Sequence, residues 1–252
     1  MLKFKVLGPL EIRLPDGRVL VPGSAKVCKV LSLLLLQNEV TSVDLFIREL
    51  WGDEPPRSCL TTLQTYIYHT RRMFDRDLAI GPGGPVLVTR PPGYELLVAD
   101  EQVDAKHFER LVRQGRAALD LDRVEQAAAL LRQALELWRG PALANISGGD
   151  VLSGHITHLE ELRIRATELR IEADKRLGRR RDLIPELRAL VVSYPLNEWF
   201  HLQLMTELQH CGRRAEALQA YHDLRRILDE ELGLEPTAEV RRLQRDLLAP
   251  TA

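Results

Sequence analysis

Between residues 60 and 74, Leu60, Leu63, Ile67, Thr70 and Phe74 recur at steps of three and four, the spacing that brings side chains onto one face of a helix. Thr61, Thr65, Tyr68, Arg72 and Arg76 fall on the opposite face, with Thr62, Gln64, His69 and Arg71 on its flanks. An ordinary solvated helix mixes acids and bases there. This one offers hydroxyls, an amide, an aromatic ring and guanidinium groups, with acid only at Asp75 and Asp77. Such groups bond phosphates and base edges. A Gly/Pro-rich break follows, Gly81 to Pro85, and then an alternating stretch from Val86 to Val98 with Pro91-Pro92-Gly93 at its centre, which predicts a hairpin.

Upstream, residues 3 to 21 alternate as short strands broken at Gly8-Pro9 and Pro15-Asp16-Gly17, predicting a small antiparallel sheet. Ser24 is placed to cap a first helix carrying Val27, Val30, Leu31, Leu34 and Leu35. Thr41 with Asp44 resembles a capping box that opens a second helix through Trp51, and Pro55-Pro56 separates it from the third. Strands, three helices and a hairpin make a winged helix-turn-helix of the variety in which strands come first.

After Asp104 the composition turns almost wholly helical. Gly115 is followed by Ala127, Leu131 and Ala134; Gly178 by Leu183, Leu187 and Leu190; Gly212 by Ala217, Tyr221 and Leu224. The second and third sets align at an offset of 34, the period of tetratricopeptide repeats. The predicted fold is therefore mainly α with a small α+β N-terminal domain, a winged helix-turn-helix over residues 1–100 followed by an all-α, tetratricopeptide-like repeat domain over 101–252. Arg139 to Ile156 reads as an inserted loop or short helix. Trp138 and Trp199 read as core anchors of the repeats, and Arg176 to Asp182 as a solvated turn.

Charge narrows the picture. The whole chain carries a net −1, which argues against indiscriminate coating of nucleic acid. Locally, from Pro55 to Arg76, Arg57, Arg71, Arg72 and Arg76 face only Asp75, a balance of +3. Cys28, Cys59 and Cys211 are isolated, without a C-x-x-C pair, so neither a zinc knuckle nor a disulfide framework is expected. No leader or membrane-length apolar run is seen, and a cytoplasmic location without membrane partners is the expectation. His155 and His158 stand three apart, but no third ligand accompanies them, so no metal or other cofactor is expected. Phosphate-loop, nucleophile-elbow and zinc-protease motifs are all missing, which sets catalysis aside.

Five stretches, taken in order, resemble one family: Ser42 to Pro56 (SVDLFIRELWGDEPP), Thr62 to Tyr66 (TLQTY), Leu87 to Tyr94 (LVTRPPGY), Leu137 to Leu143 (LWRGPAL) and Leu228 to Pro236 (LDEELGLEP). The chain resembles the Streptomyces antibiotic regulatory proteins, whose short members join an OmpR-type winged helix to a bacterial transcriptional activation domain. The resemblance implies a pathway-specific activator of antibiotic biosynthesis that binds direct repeats in promoter DNA and recruits RNA polymerase with its sigma factor. A second copy on the DNA is a further candidate partner. By position in the winged-helix pattern, Thr61 and Thr62 would approach phosphates, Thr65, Tyr68 and His69 would face the major groove, Arg71, Arg72 and Arg76 would hold the strand, and Arg90 would lie at the wing. Where this chain has His69-Thr70, the family commonly has Arg-Leu, so an operator sequence is not transferable. Tyr66, between the two faces, is expected to pack against the wing. The alternative reading is a protein-interaction scaffold whose winged helix no longer binds DNA.

Overall fold

The N-terminal strands are short and are separated by a bend at Leu7–Pro9 and a turn at Pro15–Gly17. In the computed structural model, which describes residues 2–37, 39–77 and 86–249, β1 (Lys3–Lys5), β2 (Glu11–Arg13) and β3 (Val19–Leu20) form an antiparallel sheet in that order. Phe4 pairs with Ile12 and Ile12 with Leu20. Phe4 and Ile12 have no exposed surface, so one face of the sheet is core. The Pro15-Asp16-Gly17 turn needs Gly17, whose φ of 89° lies in the left-handed region.

The helix-turn-helix follows. α1 (Ala25–Leu36) starts at Ser24, whose side chain makes no capping bond. β4 (Thr41–Ser42) then runs directly into α2 (Val43–Trp51). The cap of α2 is Ser42, not the expected Thr41: its Oγ accepts the Leu45 N–H at 3.2 Å, while Thr41 lies one residue further from the helix and is buried. α3 (Cys59–Asp77) packs Leu63, Ile67, Thr70 and Phe74 inward; Phe74 meets Phe4 edge-on at 6.2 Å. Leu60 departs from expectation: it lies in the first turn and is 55% exposed.

β5 (Val86–Arg90) and β6 (Gly93–Leu97) form the predicted hairpin, with β4 on the far side of β6. Gly93 is dictated by that third strand. A Cβ there would lie 1.9 Å from the Thr41 carbonyl oxygen, so only glycine lets β4 approach. The Gly81 to Pro85 connector lies outside the described residues.

The chain divides into two compact units, residues 1–170 and 171–252. The first unit thus contains the winged helix together with a helical hairpin, α4 (Asp104–Asp120) and α5 (Val124–Leu135), and most of the 27-residue α6 (Asp150–Arg176). The inserted stretch resolves accordingly: its first half is loop and its second half opens α6. The Asp104 carboxylate accepts the Val6 N–H at 2.8 Å, and Asn145 bonds both the N–H and the carbonyl of Leu10. Arg139 donates its backbone N–H to Leu7 and its guanidinium to the Pro9 carbonyl. The connection between β1 and β2 is therefore stapled to α4 and to the loop between α5 and α6.

The second unit holds α7 (Arg180–Ser193), α8 (Glu198–His210), α9 (Arg214–Leu232) and α10 (Ala238–Leu248). Three helix-to-helix turns share one geometry. Leu121-Asp122-Arg123, Leu177-Gly178-Arg179 and Cys211-Gly212-Arg213 each return three successive N–H groups to the preceding helix, and their middle residues have φ of 56°, 76° and 73°. Buried Ala127, Leu183 and Ala217 stand five residues on, and Leu131, Leu187 and Tyr221 nine residues on. Asp122, not Gly115, occupies the turn position of the first pair. Gly115 sits inside α4, where a Cβ would come 2.7 Å from Leu131 Cγ.

Two further expectations change in detail. Trp138 and Trp199 are half-buried: Trp138 meets Phe108 edge-on at 5.4 Å under the Arg163 guanidinium, and Trp199 packs on Phe200. The 176–182 run is more than a solvated turn, because Arg180 bonds both oxygens of the fully buried Glu207 at 3.0 and 3.1 Å.

Candidate nucleic-acid interface

The outward side of α3 is uncovered. Thr61, Gln64, Thr65, Tyr68, His69 and Arg72 are all exposed, Tyr68 by 56%, while Thr62 is half-buried. Leu63 and Ile67, at 1% exposure, hold the helix from behind. Gln64 belongs to this surface as fully as its neighbours, although periodicity put it on a flank. The hydroxyls of Thr62 and Thr65 donate to the Ser58 and Thr61 carbonyls at 2.9 and 3.0 Å. As they stand, both hydroxyl protons are committed to the helix backbone, which leaves the oxygens' lone pairs to accept. Tyr68 meets His69 edge-on at 5.7 Å. Two adjacent residues thus present one broad ring surface.

The two arginines at the middle of α3 have different surroundings. Arg72 is exposed. Arg71 reaches the wing instead, its Nε donating to the Leu87 carbonyl at 3.0 Å and its Nη2 to Thr89 Oγ1 at 2.8 Å, with the guanidinium 5.9 Å from the Tyr94 ring centre. This side chain joins helix to hairpin. Thr89, its partner, was not foreseen, since nothing in a local pattern links residues 18 apart. Arg90 ends β5 beside the Pro-Pro turn, ion-paired to Glu95 at 2.6 Å and 57% exposed in its side chain. Arg76 lies in α3, but its side chain is outside the described residues.

Tyr66 packs as expected, but on a different partner. It stacks on Trp51 of α2, centroids 6.5 Å apart and planes 24° apart, rather than on the wing. Lys26 lies over the Trp51 ring, 5.9 Å from its centroid, and is bonded to the Leu50 carbonyl. The turn of the helix-turn-helix is therefore fixed by aromatic contact.

His155 and His158 have other partners. His155 Nε2 is 3.1 Å from Gln37 Nε2, and burial lowers its pKa below the usual histidine value; His158 lies 3.8 Å from Glu109. Among the described residues there is no group of three His, Cys, Asp or Glu side chains able to hold a metal ion. No helix among them is long and apolar enough to cross a membrane.

Residues 103–248 match the family described as bacterial transcriptional activator domain. Over 251 residues the chain is 41% identical to the regulatory protein DnrI of Streptomyces peucetius, covering 98% of this chain and 92% of that protein. It belongs to the Streptomyces antibiotic regulatory protein family of transcriptional regulators. The family likeness extends to the transcriptional regulator RedD of Streptomyces coelicolor, 34% identical over 98% of this chain and 70% of RedD. Among solved structures, Mycobacterium tuberculosis EmbR in complex with a low-affinity phosphopeptide superposes with a TM-score of 0.88 at 31% identity, over 100% of this chain and 66% of that one. In this family member the activator-domain match begins at residue 103, whereas the compact units divide at residue 170, so the first helices of the activator domain share a unit with the winged helix.

Proposed function

We propose that the chain is a sequence-specific DNA-binding activator that binds direct repeats in promoters, recruits RNA polymerase with its sigma factor, and thereby switches on one antibiotic-biosynthesis pathway. The observation that carries this reading is the uncovered, acid-poor side of α3 beside a hairpin tied to it through Arg71. In it, residues 1–100 serve as the DNA-binding part and 101–252 as the activating part, in the cytoplasm and without a cofactor or catalytic step.

Each site residue takes a role from its placement. Thr61 and Thr62, in the first turns of α3, approach phosphates, where the helix N-terminus also favours negative charge. Thr65, Tyr68 and His69 enter the major groove with Gln64 beside them, the amide being suited to adenine. Arg72 and Arg76 hold the strand. Arg71 sets the wing, and Arg90 offers the minor groove or a phosphate whatever charge Glu95 leaves unpaired. A second copy reads the second repeat.

Footprinting on promoters of antibiotic-biosynthesis genes, with and without RNA polymerase, tests the whole reading. Protection of spaced repeats by the protein alone, extended cooperatively by polymerase, is the expected pattern. Equal affinity for promoter and random DNA would sink it.

A further inference from the structure

Glu49 is a carboxylate with no exposed side-chain surface, and two of its partners lie a hundred residues or more away. Oε1 accepts the Gly149 N–H at 2.5 Å and Oε2 the Leu152 N–H at 2.9 Å, the donors that the start of α6 leaves without intrahelical acceptors. The Lys29 ammonium, 3.6 Å away, completes the set. Gly149 is shaped to this contact: a Cβ there would fall 2.7 Å from the Glu49 carbonyl oxygen and 3.0 Å from both carboxylate oxygens. Two residues along α2, Trp51 stacks on Tyr66 of α3. One short helix is thus gripped by the activator-domain helix on one side and by the reading helix on the other.

We propose that Glu49 is a positioning residue, a latch that fixes the start of α6 at a set angle to the reading helix, so that DNA and a partner bound to α6 are presented together. This rests on the DNA-binding reading above. A buried carboxylate that loses one partner is left uncompensated, so the contact holds fully or opens. Opening it does not unfold the unit. Asp104, Arg139 and Asn145 still tie the β1–β2 connection to α4 and to the loop between α5 and α6.

The test uses the full chain and breaks the same contact from its two sides, with Glu49→Gln and Gly149→Ala. Amide exchange at residues 149–152 is expected to accelerate at least about tenfold in both variants, with α1 still protected. Affinity for a promoter fragment, read by fluorescence anisotropy, stays within about threefold, while run-off transcription with RNA polymerase falls about tenfold. Unchanged exchange at 149–152 in both variants overturns the latch. So does loss of DNA affinity in step with transcription, which would make Glu49 merely structural. Wild-type protein that fails to bind DNA would count against the reading beneath it, and the exchange measurement judges the latch independently of that result.

Discussion

Arg71 and Arg72 are neighbours that differ in what they touch, and the difference makes them separable. Arg72 is exposed, so Arg72→Ala should leave stability within about 0.5 kcal/mol and weaken binding to all sequences alike, lowering the salt slope by about one. Arg71 donates two hydrogen bonds to the hairpin. Arg71→Ala should cost about 1–2 kcal/mol of stability, because bonds from a charged donor are worth more than neutral ones and this one is only partly screened. It should also loosen the wing, so affinity falls more than the loss of one charge explains. Urea melts and anisotropy titrations on both variants decide the matter; equal stability loss in the two would defeat the distinction. Sequence reading grouped these arginines because a helical pattern reports which face a residue occupies, not how far its side chain bends. Glu49 was missed for a related reason: on α2 it looks like any surface acid, and the amides that bury it are remote in sequence.

At the scale of elements, the turns between repeat helices show what periodicity can and cannot deliver. The five- and nine-residue spacings after Gly178 and Gly212 were legible, because burial of one helix face imposes them. Asp122 in the equivalent place was not, since aspartate tolerates a left-handed backbone without advertising it as glycine does. Gly212→Ala isolates that backbone effect. A Cβ would meet nothing within 4 Å, so the expected loss, about 1 kcal/mol in a urea melt, comes from the positive φ alone; an unchanged midpoint would mean that the turn relaxes. The corner between α7 and α8 makes a second prediction. His201 is 3% exposed, and its Nε2 bonds the Pro195 carbonyl at 3.0 Å. Burial lowers its pKa below the usual 6.5, so the unfolded chain takes up the proton first. The stability it contributes is complete above pH 6.5 and drains away as pH falls from there toward the lower native value. The melting temperature should therefore drop between pH 7.5 and 5.5, and His201→Gln should flatten that drop.

The whole molecule presents a paradox of charge: the surface proposed to read DNA belongs to a chain with a net −1. Affinity in such a protein cannot come from its mean field. It must come from a few guanidinium groups on one face, and that makes the salt dependence a count of contacts. In the proposed complex Arg72 and Arg76 hold the strand and Arg90 lies at the wing, which gives about three phosphates per copy. With a slope near −0.9 per phosphate, a single repeat should show a log–log slope of about −3. A promoter carrying two repeats should show about −6, with the observed constant referring to two copies. Anisotropy titrations between about 50 and 200 mM salt on one-repeat and two-repeat fragments measure both. Doubling would establish that each copy contributes the same local cluster, with no help from the rest of the chain. A slope near zero on both fragments would instead favour an interaction scaffold that keeps the winged-helix shape without its duplex, because neutralised phosphates cannot be hidden from salt.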